Sequence, residues 1–192
     1  MVEDKVRSLI TKSKEGNVDA FELLVKEFQS FAFALAMRLL GDEEDSTDAV
    51  QDSFISVWKN IHRFRQDRKF TTWLYTIVTN RCLDRIRVLK RNRSLFSSRT
   101  DDAPVLDIPD DRDFVEIQTN RELAEMIRNL AGILPVKQRL VFTLRDMEDL
   151  TVDEVAEITG LSVGSVKTNL HFARKRIRKA MAERYHIRRV EL

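Results

Sequence analysis

Apolar residues recur along this chain at intervals of three and four, without sustained alternation at two, and that spacing predicts an all-α fold. From about Val18 to Leu40, Phe21, Leu24, Phe28, Leu35 and Leu39 share one side of a helix that Gly41 stops. A second helix, from about Ser46 to Ile61, buries Val50, Phe54 and Val57 together with Trp58 or Ile61. A third spans about Phe70 to Leu89, with Leu74, Val78, Cys82, Ile86 and Leu89 inward and Trp73, Ile77, Asn80, Arg87 and Arg91 on a different side. Four more helices follow: Thr119 to Ala131, Pro135 to Arg145, Thr151 to Thr159, and Val163 to about Glu183. Pro135 suits the start of a helix, where the amide it lacks would go unbonded.

The stretch from Leu150 to Lys179 carries the most specific local signals. Thr151 can cap a helix, and Glu154 three residues later can reach back to its backbone amide. Gly160 accepts the left-handed conformation that closes a helix, and Ser162 caps the next one. Two short helices joined by a tight turn make a helix-turn-helix. On the second of them Val163, Val166, Leu170, Ala173 and Ile177 form an apolar stripe that faces a core. Ser165, Thr168, Phe172, Lys175 and Lys179 lie opposite, with Lys167, His171, Arg174 and Arg178 beside them. Short hydroxyls near a helix start can reach base edges, and long cations farther along can reach phosphates.

Charge sharpens that picture and divides the chain. Residues 1–93 hold 17 Lys and Arg against 14 Asp and Glu, residues 94–118 hold two against seven, and residues 119–192 hold 14 against ten. The middle segment also contains Ser pairs and two prolines without an apolar stripe, so it reads as a flexible acidic linker between two small helical domains, 1–93 and 119–192. The C-terminal domain is then a four-helix domain containing the helix-turn-helix. Within it, residues 163–192 carry nine cations against two carboxylates, whereas a merely solvated helix interleaves both signs. Residues 63–93 carry ten against two, among them Arg65, Arg68, Lys69 and Arg87 around Trp73 and Asn80. Aromatic rings interleaved with cations suit unpaired nucleic acid, because rings stack on splayed bases while cations follow the backbone. A duplex-reading helix and a strand-reading helix in one chain point to promoter opening.

Other chemistries find little support. Five Gly and three Pro leave no glycine-rich phosphate loop, and His62, His171 and His186 lack the spacing of a metal site or a triad, so neither an enzyme nor a cofactor is expected. Cys82, the lone cysteine, reads as a small core residue. No apolar run is long enough to span a bilayer and Met1 to Thr11 lacks a signal-peptide core, so a cytosolic protein with no direct membrane insertion is expected. The competing reading is a dimeric helix-turn-helix regulator whose N-terminal helices sense a ligand. It explains Leu150 to Lys179 equally well and leaves the basic face around Trp73 and Asn80 without a use.

Across almost the whole chain these residues resemble the bacterial RNA polymerase sigma factors of the extracytoplasmic function (ECF) group. DSTDAVQDSFISVW, from Asp45 to Trp58, is similar to the family's helix that docks on the beta-prime clamp. FTTWLYTIVTNRCLDRIR, from Phe70 to Arg87, is similar to its minus-ten reading helix. LPVKQRLVFTLR, from Leu134 to Arg145, and the later GSVKTNLHFARKRIR are similar to its minus-thirty-five reading domain. The resemblance implies polymerase contacts at Asp48, Gln51 and Asp52, with Phe54 and Trp58 in the core, and a further contact of the C-terminal domain with the beta flap. It implies that Trp73, Asn80 and the loop from Phe64 to Lys69 hold a flipped base of the minus-ten strand. It also implies that Lys167, Thr168, Asn169, His171 and Phe172 face the minus-thirty-five duplex, and that the linker threads the polymerase active-site channel. An anti-sigma factor, often membrane-bound, is the implied inhibitor. Where members often carry arginines, this chain has Asn169 and Phe172, which exchange guanine-seeking cations for an adenine-seeking amide and a methyl-seeking ring.

Overall fold

The computed structural model describes residues 2–65, 67–96, 129 and 132–185. The chain divides into two compact units, Met1–Leu95 and Phe96–Leu192, and no strand occurs among the described residues. Helix α1 (Val2–Lys14), α2 (Val18–Leu40), α3 (Glu43–Asn60), a 3-10 turn (Ile61–Arg63) and α4 (Phe70–Phe96) build the first unit. In the second, α5 (Val136–Phe142) widens into a π-turn (Thr143–Met147), followed by α6 (Val152–Thr159) and α7 (Val163–Tyr185).

The helix ends follow from side-chain chemistry. Asn17 accepts from the Ala20 amide at 2.8 Å to open α2, and Gly41, at φ 75°, closes it with its amide on the Met37 carbonyl at 2.9 Å. Asp42 then caps α3 by accepting from the Asp45 amide at 2.8 Å, which starts that helix ahead of the expected Ser46. Helix α1 was not foreseen, although Val6, Leu9, Ile10 and Ser13 recur at helical spacing. Leu9, Ile10 and Ser13 are buried, and α1 packs on α2.

Leu24, Leu35, Leu74, Val57 and Val78 are fully buried at the centre of this unit. Each large aliphatic side chain so placed contributes roughly 1.5–3 kcal/mol relative to exposure. Phe21 and Phe28 are only half-buried, because their rings tilt against Trp58 and Phe70 at centroid distances of 4.8 and 5.1 Å at the edge of the core. Ile61, the first residue of the 3-10 turn, takes the inward position and leaves Trp58 half-buried. Helix α4 runs past Leu89 to Phe96, so residues 94–96, read from composition as linker, are helical. Ile86 and Leu89 are half-buried instead of core. The expected linker beyond residue 96, and all but Asn129 of the expected helix Thr119 to Ala131, lie outside the described residues.

The second unit keeps the expected punctuation. Thr151 and Glu154 form a reciprocal capping box, with bonds of 3.0 and 3.2 Å, and Gly160 closes α6 at φ 68°. Ser162 accepts from the Ser165 amide at 3.2 Å to open α7. Val166, Leu170, Ala173 and Ile177 are buried, as are Val141, Phe142, Leu144, Val155 and Ile158, and α7 packs on both α5 and α6. Two expectations change. Pro135 occupies the position before the first helical residue, and what reads as one helix to Arg145 loosens into the π-turn, where the Glu148 amide bonds the Thr143 carbonyl at 3.0 Å. Val163, placed by periodicity on the buried stripe, is its N-terminal member and is 39% exposed.

Candidate nucleic-acid interface

In the first unit an aromatic knot positions the candidate strand-reading surface. Phe64 ends the 3-10 turn and is buried, as is Phe70 at the start of α4; their rings meet edge-on at 5.5 Å. Trp73 leans on both, at 5.1 Å from Phe64 and 5.8 Å from Phe70, and stays half-buried. Its indole is therefore held by packing yet reachable from solvent. Ile77 and exposed Asn80 continue the same face one and two turns along α4, and Arg87 follows, exposed and paired with Asp84. In the loop, Arg65 grips Asp67 through Nε at 3.2 Å and an Nη at 2.8 Å, and Arg68 and Lys69 are exposed.

A cavity of about 550 Å³ opens beside this loop, on the side of α1 and α2, lined by Val6, Ile10, Phe28 and Phe31 and rimmed by Arg7, Arg68 and Lys69. Neither Trp73 nor Asn80 lines it. The loop thus borders a half-open hollow, and the indole and the carboxamide lie outside its lining.

Not every cation in this basic segment looks outward. Arg81 donates to the Ser56 hydroxyl at 2.5 Å, and Arg85 bonds Asp45 through Nε at 2.6 Å, so both brace α4 against α3. The Asp45 carboxylate beside it holds the Arg85 guanidinium above its ordinary pKa. On the outer side of α3, Asp48, Gln51 and Asp52 are all exposed at a spacing of three and four. Ile55 shares that side, 51% exposed, and was missed by sequence reading. Its signal was its position off the Val50, Phe54 and Val57 stripe.

On α7, Lys167, Thr168, His171, Phe172 and Lys175 are exposed. Phe172 is 47% exposed, and the His171 ring packs edge-on against it at 5.6 Å, so the phenyl stands on the polar face and outside the core. Ser165 and Asn169 are half-buried and engaged with each other. The Asn169 amide nitrogen donates to the Ser165 carbonyl at 2.8 Å and its hydroxyl at 3.3 Å. A two-pronged contact to adenine would require that amide to turn outward. Arg174, grouped by sequence with the outward cations, bonds Asp146 of the π-turn at 2.8 and 2.6 Å and is half-buried. That carboxylate raises its pKa.

Elsewhere the chemistry is quiet. Burial pushes the Cys82 thiol up to about 12, so it is a poor nucleophile. No cluster of three metal-ligating side chains occurs among the described residues, and no helix among them is long and apolar enough to cross a membrane.

A half-open aromatic surface among cations, an acidic helix face and a helix-turn-helix in one helical chain define a class, and comparison with known proteins supplies the family. Residues 24–92 match the model of Sigma-70 region 2, and residues 124–177 match that of Sigma-70, region 4. The ECF RNA polymerase sigma factor SigW of Bacillus subtilis is 31% identical over 95% of this chain and 100% of its own length. The solved structure of CnrH in complex with the cytosolic domain of CnrY aligns with a TM-score of 0.65 at 27% identity, covering 94% of this chain and 99% of that one. The sigma factor RpoE from Bartonella quintana, in complex with the anti-sigma factor NepR, shares the fold with a TM-score of 0.64 at 21% identity over 88% of this chain and 98% of that one. The chain belongs to the ECF RNA polymerase sigma factors of the sigma-70 family.

Proposed function

We propose that this protein works in the cytoplasm by docking on core RNA polymerase through the exposed side of α3, reading an opened minus-ten strand with α4 and its preceding loop, and reading a minus-thirty-five duplex with α7. Asp48, Gln51 and Asp52 supply the clamp contacts. Trp73 and Asn80 capture a displaced base, with Arg65, Arg68, Lys69 and Arg87 along the backbone. Lys167, Thr168, His171, Phe172 and Lys175 meet the duplex, joined by Ser165 and Asn169 once their mutual bond opens. Residues 1–93 and 119–192 are thereby the two working domains, and the acidic stretch between them follows the polymerase channel.

The observation that carries this reading is Trp73: an indole fixed by Phe64 and Phe70 but half-open, with a carboxamide on the same face. No covalent step is required. Unstacking a base costs a few kcal/mol and a stacking contact returns roughly 1–3 kcal/mol, so binding the opened strand better than the closed one shifts the equilibrium toward melting. The near full-length match to SigW favours this over a dimeric regulator. An anti-sigma factor is the expected inhibitor, since the solved relative RpoE carries one.

The test is to reconstitute the chain with core polymerase on a promoter selected from a randomised pool, and to follow closed-complex affinity and strand opening separately. Trp73→Ala should impair opening while leaving duplex binding nearly intact. Equal loss of both would refute the division of labour.

A further inference from the structure

Among the described residues, nothing gives Gly164, in the first turn of α7, a reason to be glycine. Among the described residues the glycines with positive φ are Gly16, Gly41 and Gly160, and Gly164 is not one of them. A Cβ built on it meets nothing within 4 Å among the described residues, and the position is exposed. Glycine is also a poorer helix former than alanine. Conformation, packing and propensity would all accept a side chain. What remains is close approach by something outside the fold, the circumstance in which a missing Cβ has a use.

Its place on the helix says what approaches. At about 100° per residue, Gly164, Thr168, His171 and Lys175 stack into one line on the side away from buried Val166, Leu170, Ala173 and Ile177. Gly164 is the N-terminal member of that line, the end that enters a major groove first.

We propose that Gly164 is the seat of α7 on the duplex: its bare backbone lets the helix start sink far enough for Thr168 and Phe172 to reach base edges. This rests on the duplex reading of α7. A methyl group here holds the helix start away from the groove floor, so the loss falls on base contacts and not on phosphate attraction.

The experiment compares the parent chain, Gly164→Ala and Lys175→Ala, each bound to core polymerase, on a selected promoter duplex and on a scrambled one. Gly164→Ala should unfold at the parental temperature or above it. It should lose roughly 5- to 150-fold in affinity for the selected duplex, the range of one base contact, with little change on the scrambled one. Lys175→Ala should weaken both. Parental affinity of Gly164→Ala alongside a weakened Lys175→Ala overturns the seat and leaves the duplex reading standing. If neither substitution matters, the duplex reading falls as well.

Discussion

Arg174 gives the sharpest separation between what α7 does for the fold and the role proposed for it on DNA. By sequence it is one of a run of cations; in the structure its guanidinium spans to Asp146 with two bonds of 2.8 and 2.6 Å, the two side chains retaining 31% and 13% of their exposure. An exposed pair contributes up to about 1 kcal/mol, while stripping a fully buried charge of its partner costs roughly 3–5 kcal/mol. This pair lies between those limits, so Asp146→Ala should destabilise the C-terminal unit by about 1.5–3 kcal/mol. In a unit of this size each kcal/mol moves the midpoint by about 4–8 °C, giving a fall on the order of 6–24 °C in thermal unfolding. Arg174→Ala should cost at least as much, because the Asp146 it leaves unpaired is the more buried partner and too short to reach water as a freed guanidinium can, and the double variant should show clear non-additivity in a mutant cycle. Lys175→Ala, one residue along, should leave the midpoint within a degree or two while weakening duplex binding. If Arg174→Ala left stability untouched and abolished DNA binding as Lys175→Ala does, the assignment of Arg174 as a strut would be wrong.

Four other outcomes follow from the geometry. Ile55→Ala should lower affinity for core polymerase without lowering the unfolding midpoint, since this side chain is 51% exposed; a destabilised variant with parental polymerase affinity would contradict that. Thr151→Ala removes one half of the capping box and should cost about 1 kcal/mol by denaturant titration, and no change would mean the cap is not formed in solution. With its thiol pushed up to about 12, Cys82 keeps its proton in the folded state where the unfolded chain loses it, so stability should decline as pH rises from about 9 toward 12. In that state Cys82 should also react with thiol reagents at pH 8 only as fast as the chain opens, and rapid labelling would contradict its burial.

The pattern of the chain by itself settled the helical class, the limits of α2, the Thr151–Glu154 and Gly160 punctuation and the outward placement of Lys167, Thr168 and Phe172. These are local matters: a cap or a stripe depends on neighbours three or four residues away, and those are written in order along the sequence. It did not distinguish Arg174 from Lys175 or Ser165 from Thr168, because each member of these pairs has the same chemistry and differs only in what another helix, or the next turn, holds opposite it. The half-buried state of Trp73 was equally beyond periodicity, since it depends on Phe64 and Phe70 arriving from either side of the loop. Helix spacing tells which way a side chain points; only the packed tertiary structure determines what it meets there, and so which cations brace the fold and which are left exposed for the proposed contact with nucleic acid.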